Sequence, residues 1–235
     1  MDNEFTLDPE RIEQDRDWSK LFNWKIQKEL LRYCVWSISQ NDIAHNLGHV
    51  FDVCSLGKKI CGKLGFDERM TLLVYLGCLL HDIGCKYERK HHHLIGYGLT
   101  YELIERYWPG EFTDEELLTI ATAVLEHRSS NPNKPTNIIS SVVSVADSGA
   151  PDFDKYIKRA VQFRIKKKLC DDTLKEEVYK HLLEKFGAEG YHWVSYPDIG
   201  MELFKDEWDD FTSKLYNEEY TIGRIKEIHK SLKGE

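Results

Sequence analysis

Several features are missing from this sequence, and each absence removes a class of protein. The longest apolar run falls far short of a membrane span. Met1 leads into acidic DNEFTLDPE, which has neither the basic segment nor the apolar stretch of a secretory leader. The six cysteines, at 34, 54, 61, 78, 85 and 170, contain no CxxC pair. Several sit among apolar helical positions, where a reduced thiol behaves as a small hydrophobe. A reducing cytoplasm is therefore the expected setting, with no membrane partner. Basic charge is also short, since 32 Lys and Arg against 40 Asp and Glu leave a formal charge of −8. That balance excludes the broad basic footprint of a nucleic-acid binder. KKK at 166–168 is the one compact basic cluster and reads as a solvated helix face. No internal repeat, low-complexity tract or strand-period alternation is present, so an all-α protein is expected.

What is present begins with size and patterning. At 235 residues, 41% of them hydrophobic, the chain can bury a sizeable core. Apolar residues recur at three or four residue intervals from Asp17 to about Ser39, which predicts an amphipathic helix. A second helix is expected from Leu47 to about Gly62, with Val53, Leu56 and Ile60 inward. A fourth runs from about His91 to Tyr107, with Ile95, Leu99 and Leu103 on its buried side, and Trp108-Pro-Gly stops it. Thr113-Asp-Glu-Glu116 is a capping box that opens a fifth, with Leu117, Ile120, Ala121 and Val124 inward. A sixth spans about Thr136 to Asp147 and buries Ile139, Val142, Val143 and Ala146. Past Ser148-Gly-Ala-Pro-Asp152 the chain is more charged, with helices expected at about 153–169, 173–186, 197–216 and 221–232.

The third helix organises the rest. Leu72 to Leu80 carry no charge, and the adjacent pair His81 and Asp82 then breaks the run. The span from Asp67 to Gly84 is long for a strand, and it opens on acidic residues and closes on a glycine, so it reads as a helix buried on most sides. Its last turn would place an imidazole and a carboxylate about 100° apart around the axis, where both could lean towards one ion. The alternative is a His and an Asp at the solvated end of a core helix.

Seven of the ten histidines, at 45, 49, 81, 91, 92, 93 and 127, fall within about a third of the chain. His49 stands four residues before Val53, His92 three before Ile95, His127 three after Val124, and Asp147 four after Val143. Each therefore continues the apolar stripe of its own helix. One inward histidine commonly finds a backbone partner. Six inward groups, with His81 and Asp82 counted, would cost several kcal/mol apiece if left unpaired, and metal coordination satisfies them together.

The order His, His-Asp, His, His, Asp resembles the HD-domain superfamily of metal-dependent phosphohydrolases. The resemblance covers about positions 40–155 and is most specific at HDIG 81–84, LEHR 125–128 and SVADSG 144–149. It implies an all-α HD-domain helical bundle with additional C-terminal helices. In this reading residues 1–40 are a helical segment packing on the core, 41–150 the metal-binding core, and 151–235 a C-terminal extension of the same globule. The resemblance further implies that His49, His81, Asp82 and Asp147 hold a first ion, and that Asp82 bridges to a second held by His92 and His127. Of the three consecutive histidines, the family's spacing of a His four residues before a Gly selects His92, as does helical phase, with His93 as the alternative.

A second likeness lies in AHNLGHVFDV at 44–53, similar to the YHNxxHxxDV motif of cyclic-nucleotide phosphodiesterases with alanine in place of tyrosine. It implies that His45 protonates a leaving oxygen, which suits an imidazole titrating near pH 6.5; capping the second helix is the other reading. The mixed His and carboxylate donor set favours one or two ions of Mn, Fe, Co or Zn over an all-oxygen Mg or Ca cage. Two such ions roughly 3.5–4 Å apart can generate a hydroxide and stabilise charge on a phosphoryl group. Arg128, Lys134 and Lys86 are candidate phosphate-binding cations, each also readable as a surface charge. No GYP triplet follows His127 and no HxxR start is present. The cyclic-dinucleotide and deoxynucleotide-triphosphohydrolase branches are accordingly disfavoured.

The expected activity is metal-dependent hydrolysis of a phosphate ester or anhydride of a small molecule, with a nucleotide the expected class, by a metal-activated hydroxide. A diiron oxygenase on the same fold, or a non-catalytic metal- or nucleotide-binding regulatory module, are the alternatives. The segment after residue 150 is expected to close one side of the site or to make a homo-oligomer contact.

Overall fold

A computed structural model describes residues 18, 26–42, 45–166 and 171–234. Every regular element among them is an α-helix, and no strand occurs among the described residues. None of the described helices is long and apolar enough to cross a membrane. Ala44, Lys167, Lys168 and Cys170 lie outside the described residues. The described residues fall into two units, one running up to Arg128 and again from Pro135 to Gly149, the other from Ser129 to Lys134 and again from Ala150.

The first unit holds α1 (Lys28–Ile38), α2 (Leu47–Leu64), α3 (Glu68–Leu80), α4 (His92–Tyr107), α5 (Asp114–Glu126) and α6 (Ile138–Ser148). The single helix expected over 17–39 is not continuous. Gln27 leaves the helical region at ψ 125°, and its side chain instead accepts a hydrogen bond from the Leu30 amide, so α1 starts at Lys28. Asn46, Asp67 and Asn137 cap α2, α3 and α6 in the same way, each side chain accepting the amide three residues on. At α5 both halves of the capping box form between Thr113 and Glu116.

All nine residues from Leu72 to Leu80 are buried, because α3 is enclosed by α2, α5 and α6. The fit is close where side chains are small. A Cβ on Gly57 of α2 would meet Cys78 Sγ at 2.9 Å, and one on Gly77 of α3 would meet Val143 Cγ2 at 2.7 Å. Full burial of Leu76, Leu79 and Leu80 stabilises the unit by about 1.5–3 kcal/mol each. Arg69, in the first turn of α3, reaches α5 with a two-pronged bond to the Glu116 carboxylate at 2.6 and 2.8 Å.

The buried face of α4 differs from expectation. Ile95 and Leu99 are only half-buried, while His92, Gly96, Thr100, Leu103 and Ile104 are buried. Glycine and threonine let α4 approach α5 closely, a Cβ on Gly96 meeting Val124 Cγ1 at 2.8 Å. Hydrophobicity alone would put the larger residues inside. Close helix packing takes the smaller ones.

The second unit holds α7 (Phe153–Lys166), α8 (Asp171–Phe186), α9 (His192–Ser195), α10 (Asp198–Leu203), α11 (Lys205–Tyr216) and α12 (Glu218–Lys233). The helix expected over 197–216 is two, because Phe204 departs from helical geometry at φ −123° and ψ 32° with its side chain buried. Its core is aromatic, with Phe186, His192, Trp193, Tyr196, Trp208 and Phe211 in mutual ring contact. Helix α12 packs on α7 and α8, and Arg224 clasps both oxygens of Asp154.

Candidate metal centre

Five helix ends and the turn after α3 converge in the first unit. His49 comes from the first turn of α2, where the Asn46 cap fixes its backbone amide. His81 ends α3, and Asp82 opens the turn that follows. His92 begins α4, His127 ends α5, and Asp147 lies in the last turn of α6. His81, Asp82, His92 and His127 are buried.

Three of these imidazoles are oriented from behind. His81 Nδ1 lies 2.7 Å from the Cys78 carbonyl, His92 Nδ1 2.7 Å from that of Arg89, and His127 Nδ1 2.7 Å from that of Val124. A carbonyl can only accept, so each Nδ1 carries a hydrogen and each Nε2 points inward. The inward nitrogens then meet in pairs, His49 with His81 at 3.2 Å and His92 with His127 at 3.0 Å. Two lone pairs at that distance repel unless a cation or a proton lies between them. Donors about 2.1 Å from one ion stand about 3.0–3.4 Å apart at 90–110°, which is the separation both pairs have.

Asp82 joins the two pairs. Its Oδ2 is 3.2 Å from His81 Nε2 and 3.6 Å from His49 Nε2, and its Oδ1 is 3.3 Å from His92 Nε2 and 3.9 Å from His127 Nε2. Asp147 Oδ1 completes the first group at 3.0 Å from His49 and 3.7 Å from His81. Asp82 Oδ2 is buried, and the groups that face it are the ring nitrogens of His81 and His49. His49, His81 and Asp147 thus form one group able to hold an ion, and Asp82, His92 and His127 a second.

The electrostatics suit a cation. Burial opposes ionisation of Asp82 and Asp147, yet the histidine charges and hydrogen bonds around them prevail, holding Asp82 well below the usual carboxylate range and Asp147 at about 2. Burial pushes His92 down, and burial with the His81 charge pushes His127 down to about 3, so both stay neutral donors. His81 behaves differently: burial opposes its proton, but the Asp82 charge and hydrogen bond, with Asp147, raise it to about 9. A proton on His81 Nε2 occupies the place a divalent ion would take between two carboxylates.

Around the centre, His45 is turned so that Nδ1 lies 2.9 Å from Asp42 Oδ1, with its ring centroid 6.0 Å from that of His92. Of the three consecutive histidines, His91 is exposed and pairs with Glu88, His92 enters the centre, and His93 accepts at Nδ1 from Arg128 at 3.2 Å. Arg128 also donates to the Lys90 carbonyl, so its guanidinium is anchored beside His127. The other two cations make their contacts elsewhere. Lys86 Nζ sits 4.3 Å over the Trp36 ring with Tyr33 and Tyr87 around it, and Lys134 belongs to the second unit, where it pairs with Asp198.

Two nearby residues were not anticipated from sequence. Asn41 Nδ2 donates to the carbonyls of both His45 and Asp82 at 3.1 Å, fastening their backbones together. Cys85 Sγ donates to Asp82 Oδ1 at 3.4 Å. Cys85 stands beyond the apolar run in the HDIGC turn, a position that separates it from the helix-core cysteines.

This all-α unit gathers histidines and aspartates from its helix ends into two ion-sized groups, each a candidate site for a divalent metal. The HD domain family model matches residues 46–152 of the chain. HD domains bind divalent metals and belong to a metal-dependent hydrolase type of family. Comparison with curated proteins and with solved structures gave no match.

Proposed function

We propose that the protein is a metal-dependent phosphohydrolase that cleaves a phosphate ester or anhydride of a small molecule, a nucleotide being the class best suited. The observation that carries this reading is the division of the Asp82 carboxylate, one oxygen towards His49 and His81 and the other towards His92 and His127. That division suits a carboxylate bridging two ions. Bound ions of Mn, Fe, Co or Zn would supply Lewis acidity and lower the pKa of a water at the centre.

The chain's own residues account for the rest. His49, His81, Asp82 and Asp147 would hold one ion, and Asp82, His92 and His127 the other. Asp42 holds His45 by Nδ1, leaving Nε2 to protonate the departing oxygen, as in other carboxylate-oriented histidines. Arg128, pre-oriented by Lys90 and His93, would receive a non-bridging phosphate oxygen. Lys86 and Lys134 are left out of this assignment because their ammonium groups are engaged with aromatic rings and with Asp198. The five described cysteines are all free thiols, which supports a reducing cytoplasm as the setting.

The test is reconstitution of metal-stripped full chain with Mn, Fe, Co or Zn, metal analysis, and a phosphate-release assay over a broad panel of nucleotides. Release that depends on metal and is abolished by Asp82→Ala is expected. Two bound equivalents with no release from any member would refute the hydrolase, and substrate-dependent oxygen uptake by the iron form would place the chemistry in an oxygenase instead.

A further inference from the structure

Beside the centre lies a cluster of different character. His45, Asp82 and Cys85 each present a ligand atom, and the three atoms lie within 4.8 Å of one another. We propose that these residues form a separate site for a soft divalent cation, zinc or cadmium, sharing Asp82 with the six-ligand centre.

The cluster is built in advance. Asn41 fastens the backbones of His45 and Asp82 through one side-chain amide. Asp42 engages Nδ1 of His45 at 2.9 Å and is itself backed by Arg89 at 3.3 Å, so Nε2 is the free nitrogen. A carboxylate behind an imidazole in this way fixes its orientation as a metal ligand and raises its basicity. Cys85 Sγ already stands 3.4 Å from Asp82 Oδ1, close to the roughly 3.5 Å that a sulfur and an oxygen keep around one tetrahedral zinc. His45 is 19% exposed and Cys85 half-buried, so an ion can enter directly from solvent. Cys34, Cys54, Cys61 and Cys78 are buried in the core instead.

The chemistry selects the ion. A thiolate donor favours zinc and cadmium over manganese or magnesium. As the sulfur–metal bond forms, the thiol proton leaves to solvent, one per ion bound. Occupation would engage the free nitrogen of His45 and an oxygen of Asp82 together, and so would remove the proton donor and disturb the bridge. That inhibitory consequence rests on the proposed function, whereas the binding itself does not.

The experiment uses full-length chain carrying Cys170→Ser, loaded with manganese and titrated with cadmium while thiolate-to-cadmium absorption is followed. A band saturating at one equivalent is expected, absent in Cys85→Ser and requiring at least tenfold more cadmium in His45→Ala. Mass mapping of alkylation in the parent, which needs no further variant, should show cadmium protecting Cys85. No band in the parent, a band unchanged by Cys85→Ser, an affinity unchanged by His45→Ala, or no protection of Cys85 would each overturn the site. Because absorption and alkylation need no turnover, failure here is distinct from failure of the hydrolase reading.

Discussion

Gly84→Ala offers a sharp test of how the fold positions the centre. Gly84 carries no positive φ, so its role is space and not conformational freedom. A Cβ built there would press on the His92 carbonyl oxygen, with the His92 carbonyl carbon at 3.0 Å and the Gly96 amide nitrogen at 3.1 Å. All three are backbone atoms, and no rotamer change can relieve them. Close carbon–oxygen contacts in proteins settle near 3.3–3.6 Å, so the first turn of α4 has to retreat by about 1 Å or more. Gly84 lies in the turn after α3, so alanine gains none of the helix propensity that would offset the clash. Overpacking of this kind costs about 1–3 kcal/mol, here at the upper end of that range. The retreat also displaces His92, whose Nε2 stands 3.0 Å from that of His127, where a metal tolerates about 0.2 Å. Loss of roughly 10–100-fold in affinity for one of two ions is expected, by comparison with other disturbances of ligand orientation. Urea unfolding and a two-site metal titration on the full chain measure both effects. An unfolding free energy within about 0.5 kcal/mol of the parent, with both affinities retained, would refute the close-approach reasoning.

Other consequences are open to similar measurement. Saturating the centre with metal should raise the unfolding free energy of the first unit by about 2.7 kcal/mol at a hundredfold excess over Kd, and a chelator should remove it; equal stability with and without metal would contradict a shared ion site. Arg69→Ala should destabilise by about 1 kcal/mol at neutral pH, since the bridge is partly exposed. The Arg69 hydrogen bond holds Glu116 down at about 2. Its contribution is therefore present above pH 4.5 and lost as pH falls towards 2, and the difference between parent and variant should narrow across that window. In the second unit, His192 is buried with both ring nitrogens unpartnered, and burial followed by the Lys185 charge pushes it down to about 3. Unfolding frees it to bind a proton below about pH 6.5, so that unit should lose about 2 kcal/mol between pH 7 and pH 5. His192→Phe should flatten this slope, and an unchanged slope would assign the acid sensitivity elsewhere.

Much of this was legible in the linear chain because helical periodicity is a local property. The capping box at Thr113 and the inward phase of His92 and His127 follow from spacing along a helix, the burial of Leu72 to Leu80 follows from their uninterrupted apolar run, and the folded unit displays each of them. Helix breaks were less legible. Gln27 and Phe204 interrupt runs whose apolar pattern reads straight through, because a side-chain cap and a buried ring decided the backbone there. The buried face of α4 was misjudged for a related reason, since the approach of α5 and the turn at Gly84 admits Gly96 and Thr100 but not Ile95 and Leu99.

The sequence by itself determined which residues could ligate and what helices carry them. Only tertiary structure decided how they are shared. Asp82 divides its oxygens between two histidine pairs because five helix ends meet at the centre, and those ends lie up to 98 positions apart along the chain, from His49 to Asp147. Lys86 is drawn onto Trp36, and Arg128 is held by His93. Each outcome is a contact between residues whose spacing along the chain carries no periodic signal, so it emerges only when the helices pack.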